Sequence, residues 1–360
     1  MFAETGRRKA FAFLLILVAS FSSSTFAQKK QKQKKPPLPT GTPVLWRDPG
    51  DISTRDLRYG SGSAERAPLA PFTFVAEDKI GASPKFKVKD ANGLTWVVKL
   101  GEESQAEIVA TRLVWAMGYF AEEGYYLERA EIKNLPRLSR GQEFVEGGTT
   151  VRNVRFEPRR TGVRRGAIWD WLQNPFVGSR ELDGLKVLMV LLANYDTRLD
   201  NNRILFDKNP ESGQMEAQYY VTDIGATLGH VGGLGGKRSK NNLADYRSAK
   251  FVIGVQGGVV EFDYNTTPKG SGKFASFFNP GYAKRQANKE KAMRRIPVEN
   301  ARWMGEQLSR LSDDQLRDAF RSAGYDNNTT EGYIKVLRER INQLTRLSSS
   351  SSPSASATNR

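Results

Sequence analysis

The stretch of residues 191–225 constrains this chain most, because side chains that can bind a cation stand at both ends of a predicted hairpin. Asp196 is followed five residues later by Asn201, and Asp223 comes soon after the apolar run of residues 219–221. Two paired strands would bring Asn201 and Asp223 side by side, where their oxygens could share one cation. Asp and Asn also crowd into turns for local hydrogen-bonding reasons, so a purely structural Asx-rich turn and hairpin is the alternative.

The residue types that the chain lacks narrow the kind of metal it could use. It has no cysteine and a single histidine, His230, to which we assign no role. This excludes disulfides, thiolate metal sites, cysteine nucleophiles and sites built on several histidines. A metal is therefore expected to be a hard cation held by oxygens, and Mg²⁺ fits that description. The net charge of +16 favours anionic partners, or reflects only solubility and a basic tail, and no specific nucleic-acid recognition is expected.

Both ends of the chain are predicted to lie outside the folded core. Residues 1–27 resemble a signal peptide, with a basic start, a short apolar core and small residues before a cleavage site near Ala27. This predicts an exported protein, periplasmic or extracellular, and an uncleaved anchor is the alternative. Residues 28–70 are predicted to be a basic, Pro-rich linker that could contact an anionic envelope surface, and residues 348–360 a disordered Ser-rich tail.

Residues 71–160 are predicted to form a small β-rich lobe. Residues 85–89 and 94–100 alternate in two-residue periods around a turn, which is a hairpin pattern. Val97 and Lys99 share one face of the second strand. A lysine near a strand end suits a nucleotide site, because Val97 would cover the base while the Lys99 ammonium meets the phosphates. The alternative is an edge-strand lysine that discourages aggregation.

An amphipathic helix is predicted after this strand, with apolar residues at helical spacing from 106 to 117. Glu107, near its start, has two interpretations. It could pair with Lys99 and fix the ammonium over the phosphates. It could also complete a capping box with Ser104 and satisfy the backbone at the helix start. Both interpretations stay open at this point.

Residues 79–85 are the candidate cover for a phosphate group. Gly81 and Ser83 lie in this segment, and backbone N–H groups together with the Ser83 hydroxyl could cradle a phosphate. The segment does not match the G-x-G-x-x-G pattern of glycine-rich nucleotide loops.

Residues 161–347 are predicted to form a larger, mainly helical lobe. A helix over residues 180–193 would be buried nearly all round and would hold the loop that carries Asp196. The glycine-rich segment after Asp223 is predicted to be a mobile loop that presents Lys237, Arg238 and Lys240. Further helices are predicted at about residues 298–310, 313–323 and 331–346.

Four motifs, WVVKL, AEIVATRLVWAMG, LLANYDTRLDNN and YVTDIG, occur in an order that resembles the atypical protein-kinase-like superfamily. The chain is most similar to the branch that holds HipA-type bacterial kinases, phosphatidylinositol kinases and secretory-pathway kinases, and to exported bacterial proteins with this kinase-like core. The resemblance covers roughly residues 80–265. It implies an α+β, two-lobed protein-kinase-like fold, with a β-rich N-lobe that carries one helix and a mainly helical C-lobe.

The resemblance also implies a role for each polar motif residue. Lys99 would bind the phosphates with Glu107 as its partner, Asp196 would be the catalytic residue, and Asn201 and Asp223 would be the metal ligands. The chain departs from the family in two places. The catalytic loop lacks the histidine of many relatives, and the unusual phosphate-covering loop excludes an ordinary eukaryotic-type kinase.

Together these features predict an exported kinase-like enzyme that uses ATP with Mg²⁺ or Mn²⁺ to phosphorylate a hydroxyl group of a protein, lipid or sugar. Nucleotidyl transfer from a flipped ATP is compatible with the same residues. A second hypothesis is a catalytically inactive, pseudokinase-like binding module of the cell envelope, which the unusual cover loop favours. A third is a basic envelope-binding protein in which the kinase pattern is a coincidence.

Overall fold

The computed structural model describes residues 37–81, 83–159, 162–232, 238–266 and 280–348. The predicted signal peptide, the first part of the predicted linker, Lys237 and the tail beyond residue 348 lie outside the described residues. From Leu38 onward the described residues belong to one compact unit. No helix among the described residues has both the length and the apolar character needed to cross a membrane.

Five strands in the first half of the chain pair into a closed ring, which we call the strand ring. Its members are β2 (Phe72–Asp78), β3 (Lys85–Lys89), β4 (Thr95–Leu100), β6 (Tyr125–Lys133) and β8 (Thr150–Pro158). The first three form the predicted antiparallel meander. Strand β8 then pairs with both β4 and β6, and β6 runs parallel to β2, which closes the path. A two-residue strand, β7 (Val145–Glu146), extends β8 at one side.

Period-two alternation along β4 sorts its side chains between the two surfaces of the strand ring. Trp96, Val98 and Leu100 are buried in the apolar core of the ring, together with side chains such as Phe86 and Phe156. Val97 and Lys99 therefore point to the opposite surface, as successive residues of a strand must. The sequence prediction for this strand is confirmed, and it places Lys99 outside the apolar core of the ring.

Helix α1 (Glu103–Ala116) follows β4 and packs its apolar side away from the interior of the ring. Its residues Ile108, Leu113 and Val114 belong to a second, larger core, which also includes most of the later helices. The N-cap residue of α1 makes no side-chain hydrogen bond, so the capping-box interpretation is wrong. Ser104 instead donates its hydroxyl to the carbonyl oxygen of Lys99, at 3.3 Å.

The predicted hairpin after Asp196 is present as β10 (Asn202–Lys208) and β11 (Met215–Val221), which pair antiparallel. Two short strands run parallel to β11, namely β1 (Thr42–Val44) and β5 (Phe120–Ala121). Strand β9 (Arg164–Arg165) pairs with β10. The hairpin is thus the centre of a second sheet, to which distant parts of the chain contribute.

The prediction that residues 28–70 form a linker is wrong from β1 onward. Leu45, Ile52 and Leu57 are buried in the larger core, and the backbone of β1 is paired with β11. The Pro- and Gly-rich context of residues 36–50 conceals these isolated apolar residues, and a three-residue strand is too short to show a period. The first folded lobe was predicted to begin at residue 71. Because β1 begins at Thr42, the folded part begins about thirty residues earlier.

The remaining helices form most of the larger core. Helix α2 (Arg180–Leu191) begins at the N-cap Ser179 and is buried along nearly its whole length, as predicted. It is followed by α3 (Leu243–Ser248), a small sheet of β12 (Val252–Gln256), β13 (Val259–Phe262) and β14 (Ile296–Pro297), then α4 (Pro280–Ala292), α5 (Val298–Ser309), α6 (Asp313–Arg321) and α7 (Asn327–Thr345).

Two of the three predicted C-terminal helices agree with α5 and α6 to within two residues, and Ser312 and Gln315 form a capping box at the start of α6. The third prediction began four residues too late. Asp326 caps α7 by accepting a hydrogen bond from the Thr329 backbone N–H at 2.9 Å. The Asn- and Thr-rich segment after Asp326, which precedes the predicted helix, is the first turn of α7.

Candidate active site

A cavity of about 370 Å³ opens between the outer surface of the strand ring and the β10–β11 hairpin. Polar and charged side chains dominate its lining. Seven of the eight residues singled out from the sequence line it: Gly81, Ser83, Val97, Lys99, Glu107, Asn201 and Asp223. Asp196 is not among the described lining residues, and it lies next to Asn201.

The Lys99 ammonium is the point at which the two sides of the cavity meet. Its Nζ lies 2.9 Å from Glu107 Oε2, 2.5 Å from Asp223 Oδ1 and 3.2 Å from Glu103 Oε2. The side chain of Lys99 is only 10% exposed. Burial disfavours the charge, but Glu107, Asp223 and Glu103 outweigh it and raise the pKa of Lys99 above its ordinary value. Lys99 is therefore a permanent cation surrounded by carboxylates.

Glu107 holds two cations at once. Its Oε2 accepts from Lys99, and its Oε1 lies 2.6 Å from Nη1 of Arg155, a residue directly opposite Lys99 in the β4–β8 ladder. The side chains of Glu107 and Arg155 are both buried. Burial disfavours the Arg155 charge, but Glu107, Glu157 and Glu122 together raise its pKa above the ordinary value. Of the two interpretations of Glu107, the geometry supports the pair with Lys99.

Arg155 was not found from the sequence. Alternation within VRNVRF places it on one face of a strand, yet nothing local shows that this strand lies beside β4. Arg155 also approaches Glu122 and Glu157 at 3.4 Å each. Burial and the neighbouring Glu157 raise the pKa of Glu122 to about 7, against the opposing effect of Arg155. Arg165 also approaches Glu122 and Glu157, so this part of the cavity lining is a cluster of two arginines and several carboxylates.

Asp223 sits at the mouth of the cavity, where its side chain is 46% exposed. Its φ angle of 53° lies in the left-handed region, which side-chain-bearing residues adopt infrequently and which is concentrated at functional sites. Burial opposes the Asp223 charge, but Lys99 outweighs this and lowers the pKa of the carboxyl group. The preceding residue, Thr222, donates from its backbone N–H to the Asn201 carbonyl oxygen at 2.7 Å, so the two ends of the hairpin are adjacent as predicted.

Asp196 is held by its neighbours on three sides. Asn201 donates its Nδ2 to the Asp196 carbonyl oxygen at 2.8 Å and lies 3.3 Å from Oδ2. Oδ1 lies 2.8 Å from Arg198 Nε and 3.0 Å from Lys289 Nζ. Burial lowers the pKa of Lys289, although Asp196 partly offsets this effect. Lys289 comes from helix α4, 93 residues further along the chain, and no local pattern indicates that it approaches Asp196.

The predicted cover segment contributes Gly81 and Ser83 to the cavity lining, but it does not have the sequence of a glycine-rich loop. Gly81 adopts a positive φ of 83°, and its carbonyl oxygen accepts from Arg140 Nη1 at 2.6 Å. The Ser83 hydroxyl donates to Glu103 Oε2 at 3.2 Å. Both predicted cover residues line the cavity, and Ser83 interacts there with a carboxylate of the chain itself.

The donors at the mouth of the cavity fit a hard divalent cation. The Nδ2 group of Asn201 is directed to Asp196, which leaves its Oδ1 as an acceptor, and Asn201 and the partly exposed Asp223 both line the cavity. Within the described ranges no group of three or more His, Cys, Asp and Glu residues could bind a metal by itself. Mg²⁺ is commonly bound by one or two protein oxygens together with substrate phosphates and water, so this donor pair fits magnesium held with a nucleotide.

Comparisons with known proteins give little further guidance. No protein-family model matches the chain, and no curated protein matches it. Among solved structures, it is similar to the crystal structure of a Helicobacter pylori proinflammatory kinase, CtkA, at 14% identity. The match covers 77% of this chain and 97% of that chain with a TM-score of 0.42. The functional assignment therefore depends on the geometry of the site.

Proposed function

We propose that this protein is an atypical, protein-kinase-like phosphotransferase that moves the γ-phosphoryl group of ATP to a hydroxyl acceptor. One observation carries the proposal: the Lys99 ammonium, held by the buried Glu107, lies 2.5 Å from Asp223 across the cavity. A lysine that only protects a sheet edge would be exposed, whereas Lys99 is buried between three carboxylates. A buried, paired cation facing an exposed carboxylate is the arrangement that a magnesium-bound triphosphate needs.

The residues divide into a phosphate side and a metal side. Lys99 would bind phosphate oxygens, with Glu107 holding it in place and Val97 against the base. Asn201 and Asp223 would hold Mg²⁺ or Mn²⁺. The cation, when bound, would neutralise charge on the phosphates. The remaining catalytic power would come from positioning and from fixed charges in the cavity.

Asp196 would act on the acceptor. The acceptor oxygen forms a bond to the γ-phosphorus while the bond from that phosphorus to the β–γ bridging oxygen breaks, and ADP leaves with the bridging oxygen. The hydroxyl proton passes to the Asp196 carboxylate. Since Arg198 and Lys289 both engage Oδ1, the carboxylate is fixed in direction. Oδ2, which Asn201 Nδ2 approaches at the longer distance of 3.3 Å, would receive the acceptor proton.

The setting of this activity is part of the proposal. The basic start and apolar core of residues 1–27 support export, and the lysines of residues 28–36 support contact with an anionic envelope surface. The acceptor belongs to one of three classes: a protein side chain, a lipid or a sugar.

A transfer assay with ATP labelled at the γ-phosphate tests the proposal. Full-length protein with Mg²⁺ is expected to transfer label to itself or to an envelope extract, and Asp196→Ala is expected to abolish the transfer. Asp318→Ala, at an exposed position of α6 far along the chain, is the matched control and should behave as the unmodified protein.

A thermal shift measured in parallel separates an enzyme from a binding module. A nucleotide at 100-fold its dissociation constant stabilises the folded protein by about 2.7 kcal/mol. A shift with ATP and Mg²⁺ that disappears in Asp223→Ala, without any label transfer, would indicate the pseudokinase-like binding module. Absence of both the shift and the transfer would contradict the proposal.

A further inference from the structure

Glu103 is a carboxylate that contacts two residues of the cavity lining, Ser83 and Lys99, and the proposed phosphotransfer does not use it. It lies in the first turn of α1, and its side chain is 21% exposed. Three donors from three separate segments converge on it. Oε2 accepts from the Ser83 hydroxyl at 3.2 Å and from Lys99 Nζ at 3.2 Å, while Oε1 lies 2.6 Å from Lys240 Nζ. Ser83 belongs to the cover segment, Lys99 to β4, and Lys240 to the segment that follows Asp223.

The donor set around Glu103 is one that suits a phosphate group. Lys99 is the ammonium that the proposed function directs at the nucleotide phosphates, and Ser83 is the hydroxyl that the sequence predicts for the phosphate cover. Lys240 adds a second ammonium, and Glu103 raises its pKa above the ordinary value even though burial opposes the charge. One hydroxyl and two ammonium groups aimed at neighbouring oxygens form a charge-assisted anion subsite. In this structure the two oxygens of the Glu103 carboxylate fill that subsite.

Lys99 has no donor to spare for a phosphate in this arrangement. An ammonium group has three N–H donors, and three carboxylates surround this one: Glu103, Glu107 and Asp223. A phosphate oxygen can therefore bind Lys99 only when one carboxylate withdraws. Glu107 is buried and also held by Arg155, so it is the least able to leave. Asp223 is the most exposed of the three, but it lies only 2.5 Å from Lys99 Nζ and the proposed function assigns it to the cation. Glu103 is partly exposed and is the most distant of the three at 3.2 Å, so it is the carboxylate with the weakest hold on Lys99.

We propose that Ser83, Lys99 and Lys240 form a phosphate subsite, and that the Glu103 carboxylate occupies this subsite until a phosphate of the bound nucleotide displaces it. The inference depends on the proposed nucleotide-binding function and adds two elements to it. Lys240 becomes a phosphate-binding residue, and Glu103 becomes an internal competitor that lowers the affinity of the resting protein for nucleotide.

A purely structural ion pair makes the opposite prediction, so one substitution distinguishes the two. Glu103→Gln keeps the size of the side chain and removes its charge. If Glu103 is an internal competitor, the uncharged side chain leaves the subsite to the nucleotide, and the affinity for nucleotide rises. A structural pair weakened in the same way loosens α1 and the cover segment, and affinity falls or stays unchanged.

The test is isothermal titration of ATP with Mg²⁺ into the full-length protein. Glu103→Gln is expected to lower the Kd about tenfold, the scale of one charge-assisted hydrogen bond. The matched control is Glu131→Gln, which removes the same charge from an exposed residue of β6 and should leave the Kd unchanged. Lys240→Gln is expected to raise the Kd, and it carries the test by itself if Glu103→Gln melts below the assay temperature.

Tripolyphosphate, which lacks a base and a sugar, gives a second measurement of the subsite. Glu103→Gln should bind tripolyphosphate more tightly than the unmodified protein does, and Lys240→Gln should bind it more weakly. If the unmodified protein binds nucleotide and Glu103→Gln binds it with the same or a lower affinity, this inference is wrong and the proposed function stands. If neither protein binds nucleotide, both this inference and the proposed function are wrong.

Discussion

The two sides of the cavity hold their charges in different ways. On the strand-ring side, Lys99, Glu107 and Arg155 are buried and bind one another. On the hairpin side, Asp223 and Arg198 keep 46% and 44% of their side chains exposed. Buried charges are tolerated only when they are paired, whereas exposed ones contribute little to stability and remain open to ligands. The first side is therefore a fixed framework, and the second is where ligands and chemistry can enter.

Glu107→Leu should show the largest effect, because it tests the fixed framework directly. The substitution leaves the buried Arg155 without its shortest ion pair and removes one partner of Lys99. Breaking a buried ion pair by removing one partner costs about 3–5 kcal/mol. Urea unfolding followed by circular dichroism should show this loss, with Glu102→Leu as an exposed control. A loss below about 1 kcal/mol, the range of exposed pairs, would contradict the distinction between the two sides.

Asp223→Asn should separate function from stability on the hairpin side. The exposed carboxylate contributes little to folding, so the free energy of unfolding should change by less than about 1 kcal/mol. Phosphotransfer with Mg²⁺ should fall at least about 100-fold, because a metal-binding oxygen loses its charge. Parallel unfolding and transfer measurements check this. A loss of about 3–5 kcal/mol in the free energy of unfolding, as expected for Glu107→Leu, would show that Asp223 is also part of the framework.

Lys289→Gln should give a smaller effect that sharpens the account of Asp196. The amide can still donate to Oδ1, while the positive charge that fixes the carboxylate is lost. We expect kcat to fall about tenfold with the Kd for ATP unchanged, since one charge-assisted contact acts on the acceptor side only. Lys289→Arg should recover part of the rate. A change in nucleotide affinity without a change in kcat would contradict the positioning role.

Asp326→Ala should give the smallest effect, and it serves as a reference because it lies on neither side of the cavity. It removes the N-cap of α7, where Asp326 accepts from the Thr329 backbone. Loss of such a cap costs about 1 kcal/mol of stability, and transfer activity should be unchanged. Thermal unfolding and the transfer assay check this. A loss of activity would show that the cavity depends on α7.

Some features of the fold and the site can be predicted from the sequence, and others cannot. Local patterns were sufficient for the hairpin, for the buried helix α2 and for the face of β4 that carries Lys99. Those features depend on residues close together in the chain, where period and turn chemistry are visible. The candidate site residues were recognisable for the same reason, since each lies within a short motif.

The missing parts depend on contacts between distant segments. Arg155 became visible only once β8 was known to pair with β4, and Lys289 and Lys240 approach their carboxylates across more than ninety residues. Strand β1 is three residues long in a Pro- and Gly-rich context, so no period could reveal it. Ring closure through the parallel β2–β6 pair is likewise a non-local event that no window of sequence contains. Local patterns therefore predicted the motif residues, and the fold supplied their partners.

The central claim is that Lys99 is the phosphate-binding cation of a nucleotide site. The most direct measurement is a titration of ATP with Mg²⁺ into the full-length protein and into Lys99→Met, after circular dichroism has shown that both are folded. The account predicts saturable binding by the unmodified protein and its loss in Lys99→Met. Equal binding by the two proteins, or no binding by the unmodified protein, would contradict it.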